Sequence, residues 1–266
     1  MKYFTPLMLF IVGWLVIMLT DSLSQIGLFN GLLQLVLFTF VVCIPTWRTG
    51  RMSYVDIGWP WGLTLVGLLT WYFAEGNSIR VAVVSIAYIF AGSRMGLSAL
   101  NMWRCGHLDT ELPRYTYQQR RWQKAGKTNT ALAMQVEAII QGLANASFLA
   151  LPAFIIATNT ASSISIFEII GIVIWFGAFA METIADVQKV TFLREMQRLN
   201  LKNKVCNVGL WRYSRHPNYF AEWMVWNGLV IAAIPSWITL YQQESFVLWL
   251  LLGVSILLTS RLMYTT

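Results

Sequence analysis

The chain has 266 residues, of which 57% are hydrophobic and only 12% charged, with a formal net charge of +7. That is too little charge to cover a soluble domain of this length. The basic residues lie between long apolar runs rather than along one face, a placement that excludes a nucleic-acid binder and fits a membrane topology.

A helix needs about 18 or more apolar residues to cross a bilayer core of roughly 30 Å. Runs of this kind predict spans over 4–20, 26–46, 57–74, 79–99, 131–157, 163–185, 219–240 and 246–264. Pro235 interrupts the seventh, so the count is seven or eight. The first run begins beside Lys2 but has no small-residue cleavage site, and the second run follows at once, so it reads as a retained helix rather than a signal peptide. The 13 Trp, 10 Tyr and 15 Phe agree with membrane interfaces. The fold class expected is all-α: one integral membrane domain over 1–266, a polytopic bundle with a cavity facing the cytoplasm.

The loops divide by charge. Lys2, Arg48 and Arg51, the group Arg104 to Lys127, and the group Lys189 to Arg215 occupy alternate connections. The intervening loops 21–25, 75–80, 158–162 and 241–245 hold one basic residue, Arg80. By the positive-inside rule the basic loops and both termini are cytoplasmic, in the inner (cell) membrane if the source is bacterial. Even parity favours eight spans. Loops 100–130 and 186–218 are too short for domains but long enough to cap the bundle. The three cysteines, Cys43, Cys105 and Cys206, are scattered without a C-x-x-C pair and read as free thiols.

Ionisable residues within spans are costly and usually functional. Arg94, Glu137, Glu182, Asp186 and Glu222 qualify, with Asp56 at the entrance of the third span, and all lie towards the basic side. Glu182 and Asp186 are i and i+4 and share one helix face. Such a pair could bind a metal or accept hydrogen bonds from ribose hydroxyls. No His or Cys stands at ligand spacing, so no metal site is expected.

The segment GLWRYSRHPNYFAE, 209–222, is the most specific stretch of the chain. Together with METIADVQK (181–189), SYVDIGWPWG (53–62) and AGSRMGL (91–97), it resembles the steroid 5α-reductase family (3-oxo-5α-steroid 4-dehydrogenases), in its bacterial DUF1295-type branch. The resemblance runs from about Ser53 onward and is dense in 181–222. It implies an NADPH-dependent oxidoreductase that reduces an activated carbon–carbon double bond of a lipophilic, steroid-like enone, most simply a Δ4-3-oxosteroid. It also implies a basic, aromatic tail beyond Thr266 that this sequence does not carry.

Positions matching the family motif imply cofactor contacts at Asp186, Tyr213, Ser214, Arg215, His216, Asn218, Tyr219 and Glu222. No G-x-G-x-x-G is present, so side chains rather than a Rossmann turn must hold the dinucleotide. Its phosphates call for arginines, and Arg94, Arg104, Arg194 and Arg215 are the candidates. Asn218 and Glu222 are i and i+4, so both can face one nicotinamide amide.

Enone reduction also needs a donor at the carbonyl oxygen to stabilise the developing enolate. The family places an acid and a tyrosine on earlier helices, which match Asp56 and Tyr88, with Tyr54 in reserve. Asp56 also reads as a helix N-cap and Tyr88 as a packing aromatic. The expected partners are the substrate and membrane lipid, with the protein acting as a monomer. A membrane S-adenosylmethionine-dependent methyltransferase of the isoprenylcysteine or phospholipid type shares the R-H-P-N-Y segment and is the alternative. A non-catalytic sterol-binding or transport protein is a second, although no inverted repeat is visible.

Overall fold

The computed structural model describes residues 3–201 and 204–265, and these are all-helical, without strands. Lys2 and Lys202, which enter the loop charges above, lie outside the described residues. Six helical rods are long and apolar enough to cross a membrane: Asp21–Thr49, Ser78–Arg104, Thr130–Thr158, Ile166–Arg198, Pro217–Gln242 and Phe246–Tyr264. The chain is a multi-pass membrane protein. Two further helices coincide with predicted spans: α1 (Thr5–Leu19) is 15 residues long, and α4 (Val55–Phe73) has 19 with Pro60 inside it.

The chain folds as two compact units, one of residues 1–162 and 236–256 and the other of 163–235 and 257–266. In the first unit, α1 meets α2 (Asp21–Leu37) at Thr20 alone, so the loop expected over 21–25 is absent. Thr20 is fully buried in an extended conformation, and its hydroxyl donates to the Val16 carbonyl at 2.8 Å. The α2 rod widens into π-register over Phe38–Cys43 before α3 (Ile44–Thr49). Pro45 accounts for this: it has no N–H for the ordinary ladder, and its ring crowds the preceding turn.

Helix α5 (Ser78–Arg104) packs directly on α4. A Cβ at Gly92 would stand 2.5 Å from the Pro60 carbonyl oxygen, so only glycine permits this approach. Arg80, the exception to the loop charge pattern, is buried in the first turn of α5 and donates to the Ala161 carbonyl.

The loop expected over 100–130 contains a helix, α6 (Pro113–Lys124). The single span expected over 131–157 is two helices, α7 (Thr130–Ala146) and α8 (Leu151–Thr158). The break sits in the unit's core, where Phe148, Leu149 and Ala150 are buried. Backbone groups exposed by a break in an apolar interior must find partners. Here Ser147 donates its hydroxyl to the Leu143 carbonyl at 2.6 Å, and Tyr88 donates its own to the Leu149 carbonyl at 2.7 Å. Nearby, buried amides tie three helices together. Gln34 donates to the Gly62 carbonyl at 2.9 Å, Asn145 to the Trp59 carbonyl at 2.9 Å, and Asn30 to the Asn145 carbonyl at 3.1 Å.

The second unit is built on α9 (Ile166–Arg198), whose 33 residues rise about 50 Å. It starts in a capping box, where Glu168 accepts from the Ser165 N–H and the Ser165 hydroxyl accepts from Phe167. It continues 13 residues beyond the predicted end at 185, so much of the loop expected over 186–218 is helix. A single 3-10 turn, Gly209–Arg212, follows. Helix α10 (Pro217–Thr239) then runs through Pro235 without a break. Gly171 of α9 and Gly228 of α10 meet backbone to backbone: a Cβ on Gly171 would lie 2.5 Å from the Gly228 carbonyl oxygen, and one on Gly228 2.6 Å from that of Gly171. Helix α11 (Phe246–Thr265) ends the described chain, and in this unit Trp223 donates to Ser260, which donates to Asn227 at 2.9 Å.

Candidate functional site

The two halves of the specific motif come together in the second unit. Gln188, in the extension of α9, accepts from the Leu210 N–H at 2.9 Å, and the Trp211 indole donates to the Ala185 carbonyl at 2.9 Å. Lys189 lies 4.5 Å over the Trp211 ring. Gly209 adopts a left-handed conformation, φ +52°, and a side chain there would collide with the Gln188 amide. Glycine is therefore required both for its backbone and for its lack of a Cβ. These contacts pin the GLW turn to α9 and set the start of the next helix.

RYSRHPNY then forms the entry to α10. The Ser214 hydroxyl accepts from the His216 N–H at 3.2 Å, and Pro217 takes the first helical position, where its missing N–H is no loss. Tyr213, Ser214, Arg215, His216 and Tyr219 are all exposed, Tyr213 by 89%. The His216 and Tyr219 rings sit 5.4 Å apart. Arg194 is exposed on the last turns of α9. Glu222 is half-buried one turn after Asn218.

Asn218 is the pivot. Its amide nitrogen donates to an Asp186 carboxylate oxygen at 3.2 Å, which joins the two motif segments directly. Its carbonyl oxygen is buried and accepts no hydrogen bond among the described residues. Buried acceptors of this kind are rare, because desolvation without a partner costs about 1–3 kcal/mol. The missing partner is an N–H or O–H donor, which the carboxamide of a nicotinamide would supply. By this measure the residues fit a dinucleotide. Exposed arginines stand on the same elements for its phosphates, and Asp186 can accept from hydroxyls.

In the first unit, Asp56 stands in the first turn of α4 within a dense polar knot. It accepts from the Tyr115 hydroxyl at 2.5 Å and is ion-paired with Arg114, both from α6. The residue at the N-cap position of α4 is Tyr54, not Asp56. Beside it, Glu111 accepts from the Met52 N–H and the Ser53 hydroxyl, each at 2.6 Å, and from the Leu112 N–H at 3.1 Å. Arg51 donates to the Leu108 carbonyl and to the Tyr54 hydroxyl, the latter at 3.2 Å. Burial pushes the Tyr115 phenol well above its usual range, and the neighbouring Asp56 carboxylate adds to the shift.

Tyr54 and Asp56 thus share one knot, whereas Tyr88 is buried elsewhere in the unit with its hydroxyl on the broken helix. Arg94 is half-buried in α5, and Arg104 is exposed at the end of that helix. In the sequence Arg51 and Arg114 read only as loop charges, and Glu111 and Tyr115 do not stand out, because nothing there brings α6 and the loop before it onto the start of α4. The signal available is Leu112-Pro113, a proline that starts a helix. Glu182 is buried in α9, and no cluster of metal-ligating side chains occurs among the described residues.

A family model described as a protein of unknown function (DUF1295) matches residues 40–265. No curated protein and no solved structure matches the chain.

Proposed function

The chain belongs to the DUF1295 family, and from that premise we propose that it is a membrane-embedded, NADPH-dependent reductase of a carbon–carbon double bond in a lipophilic enone, most simply a Δ4-3-oxosteroid. The observation that carries the reading is the buried, unpartnered carbonyl oxygen of Asn218, held by its own amide against Asp186. A protein keeps such an acceptor at a cost, and a ligand amide relieves it. The bundle has eight crossings in this reading, with α1 and α4 added to the six long apolar rods. The basic loops and both termini are cytoplasmic.

NADPH, when bound, supplies the hydride. Asn218 orients the nicotinamide through its carboxamide, and Glu222, one turn on, accepts from the same amide. Asp186 accepts from ribose hydroxyls. Arg194 and Arg215 neutralise phosphates, and Tyr213, Ser214, His216 and Tyr219 line the cofactor's polar edge. Asp56 and Tyr88 are the proposed donors to the carbonyl oxygen of the enone, with Tyr54 in reserve, and Arg94 and Arg104 add positive charge. The substrate is apolar and partitions into lipid, whereas the cofactor is polar, so the polar groups belong at the membrane surface.

The test is turnover by the detergent-purified protein, followed as the loss of NADPH absorbance on adding a Δ4-3-oxosteroid. The expected result is steroid-dependent oxidation of NADPH that disappears in Asn218→Ala. Transfer of a methyl group from S-adenosylmethionine to a lipid acceptor, with no NADPH oxidation, would replace this reading by the methyltransferase.

A further inference from the structure

A groove of about 440 Å³ opens beside α9, floored by Gly177, Met181 and Ile184 and closed at one end by Gln188, Arg212 and Tyr213. Residues 177, 181, 184 and 188 share one helix face. Successive residues turn about 100°, so Ile184 and Asp186 point about 160° apart around the axis. The groove therefore lies on the flank of α9 away from the Asp186–Asn218 pair, and Tyr213 is the one residue of its wall that also belongs to the proposed cofactor site. Its flank is apolar and uncovered: Phe176 is 59% exposed and Ile184 51%. A Cβ at Gly177 would meet nothing within 4 Å, which leaves an open notch in the helix surface.

The groove is polarised along its length. The apolar part lies within the run predicted as the sixth span. The polar part lies where α9 passes into its basic extension, with Arg212 the one charge in the wall. The Gln188 side chain is already engaged by the Leu210 N–H, which leaves Arg212 to meet a ligand's polar end. A long apolar body with an anionic head at the membrane surface matches both parts. A sterol lacks the charge, and an acidic peptide would not lie on an apolar, lipid-facing flank. We propose that this groove binds one anionic phospholipid, its acyl chain along Gly177–Ile184 and its phosphate at Arg212. Because the Gly209–Arg212 turn and α9 are tied together by Gln188, a bound lipid would brace the segment that leads into the cofactor motif from the opposite side.

Native mass spectrometry tests this on the full chain in detergent, equilibrated with equal parts of dioleoyl phosphatidylglycerol and dioleoyl phosphatidylcholine and no NADPH. The absence of cofactor keeps the outcome independent of the reductase reading. We expect one phosphatidylglycerol retained in preference to phosphatidylcholine. Arg212→Gln should lower that retention about fivefold, the effect of one cation at an anionic surface. Gly177→Leu should lower it by filling the notch. Arg212 is exposed, so its variant keeps the test open even if Gly177→Leu fails to fold. Equal retention of the two lipids by the wild type, or unchanged phosphatidylglycerol retention in Arg212→Gln, would overturn the proposal.

Discussion

Asp56 near the start of α4 and Asp186 on α9 are both carboxylates beside basic loops, yet their surroundings differ in kind. Around Asp56, α6 lays Arg114 and Tyr115 onto the carboxylate, while Glu111 takes up the backbone and hydroxyl donors of Met52 and Ser53. Donors and acceptors match, and the knot fastens the loop before α6 to the start of α4. Around Asp186, the contact to Asn218 leaves a buried acceptor without a donor, and the residues before Asn218, Tyr213 to His216, are exposed. Polar groups that satisfy one another serve stability, whereas a buried group left unsatisfied beside exposed polar residues suits a ligand. The first region is thus expected to govern melting and the second to govern NADPH binding.

The largest effect expected on stability comes from Glu111→Ala. It orphans the buried donors of Met52 and Ser53, at about 1–3 kcal/mol each. The melting temperature in detergent should fall markedly while any NADPH-induced rise persists; loss of that rise would erase the division between the regions. Gly209→Ala comes next. It forces a Cβ into a left-handed backbone and against Gln188, costing about 1–3 kcal/mol. Because the turn leads into the cofactor motif, this variant should weaken NADPH binding as well as stability, unlike Glu111→Ala.

Tyr115→Phe is the mildest, at about 1 kcal/mol near neutral pH for one hydrogen bond. Its value lies in the pH dependence. The folded phenol holds its proton more tightly than the unfolded one, so the unfolded state loses that proton first as pH rises through about 10. Wild-type stability should therefore be full below that range and decline above it. Melting curves taken across alkaline pH should show a shallower decline in Tyr115→Phe. An unchanged slope would mean that the phenol does not carry the dependence.

Six of the eight predicted spans are legible because apolar runs of sufficient length report their solvent directly, and they coincide with the six rods long and apolar enough to cross a membrane. What escaped was tertiary. The break at 147–150 lies inside one continuous predicted helical run, and its local sign is Pro152, whose ring disfavours helix before it. Helix α6 is short and polar, with Trp122 its sole fully buried side chain, so no apolar period announces it. At the candidate site, the residue types of 181–189 and 209–222 were readable. The bond between Asp186 and Asn218, and the burial of the Asn218 oxygen, depend on how Gln188 and Trp211 dock the intervening turn. Likewise, Tyr88 reads in sequence as a catalytic candidate or a packing aromatic, and only the fold places its hydroxyl on the Leu149 carbonyl.

The most direct test of the central claim is thermal stabilisation of the detergent-purified protein by NADPH, measured for the wild type and Asn218→Ala with S-adenosylmethionine as the contrast. A ligand that binds only the folded state raises the melting point by mass action. The account predicts a rise with NADPH and none with S-adenosylmethionine. It also predicts an Asn218→Ala variant that melts close to the wild type without ligand and no longer responds to NADPH. A wild type indifferent to NADPH, or a variant that responds as strongly as the wild type, would contradict it.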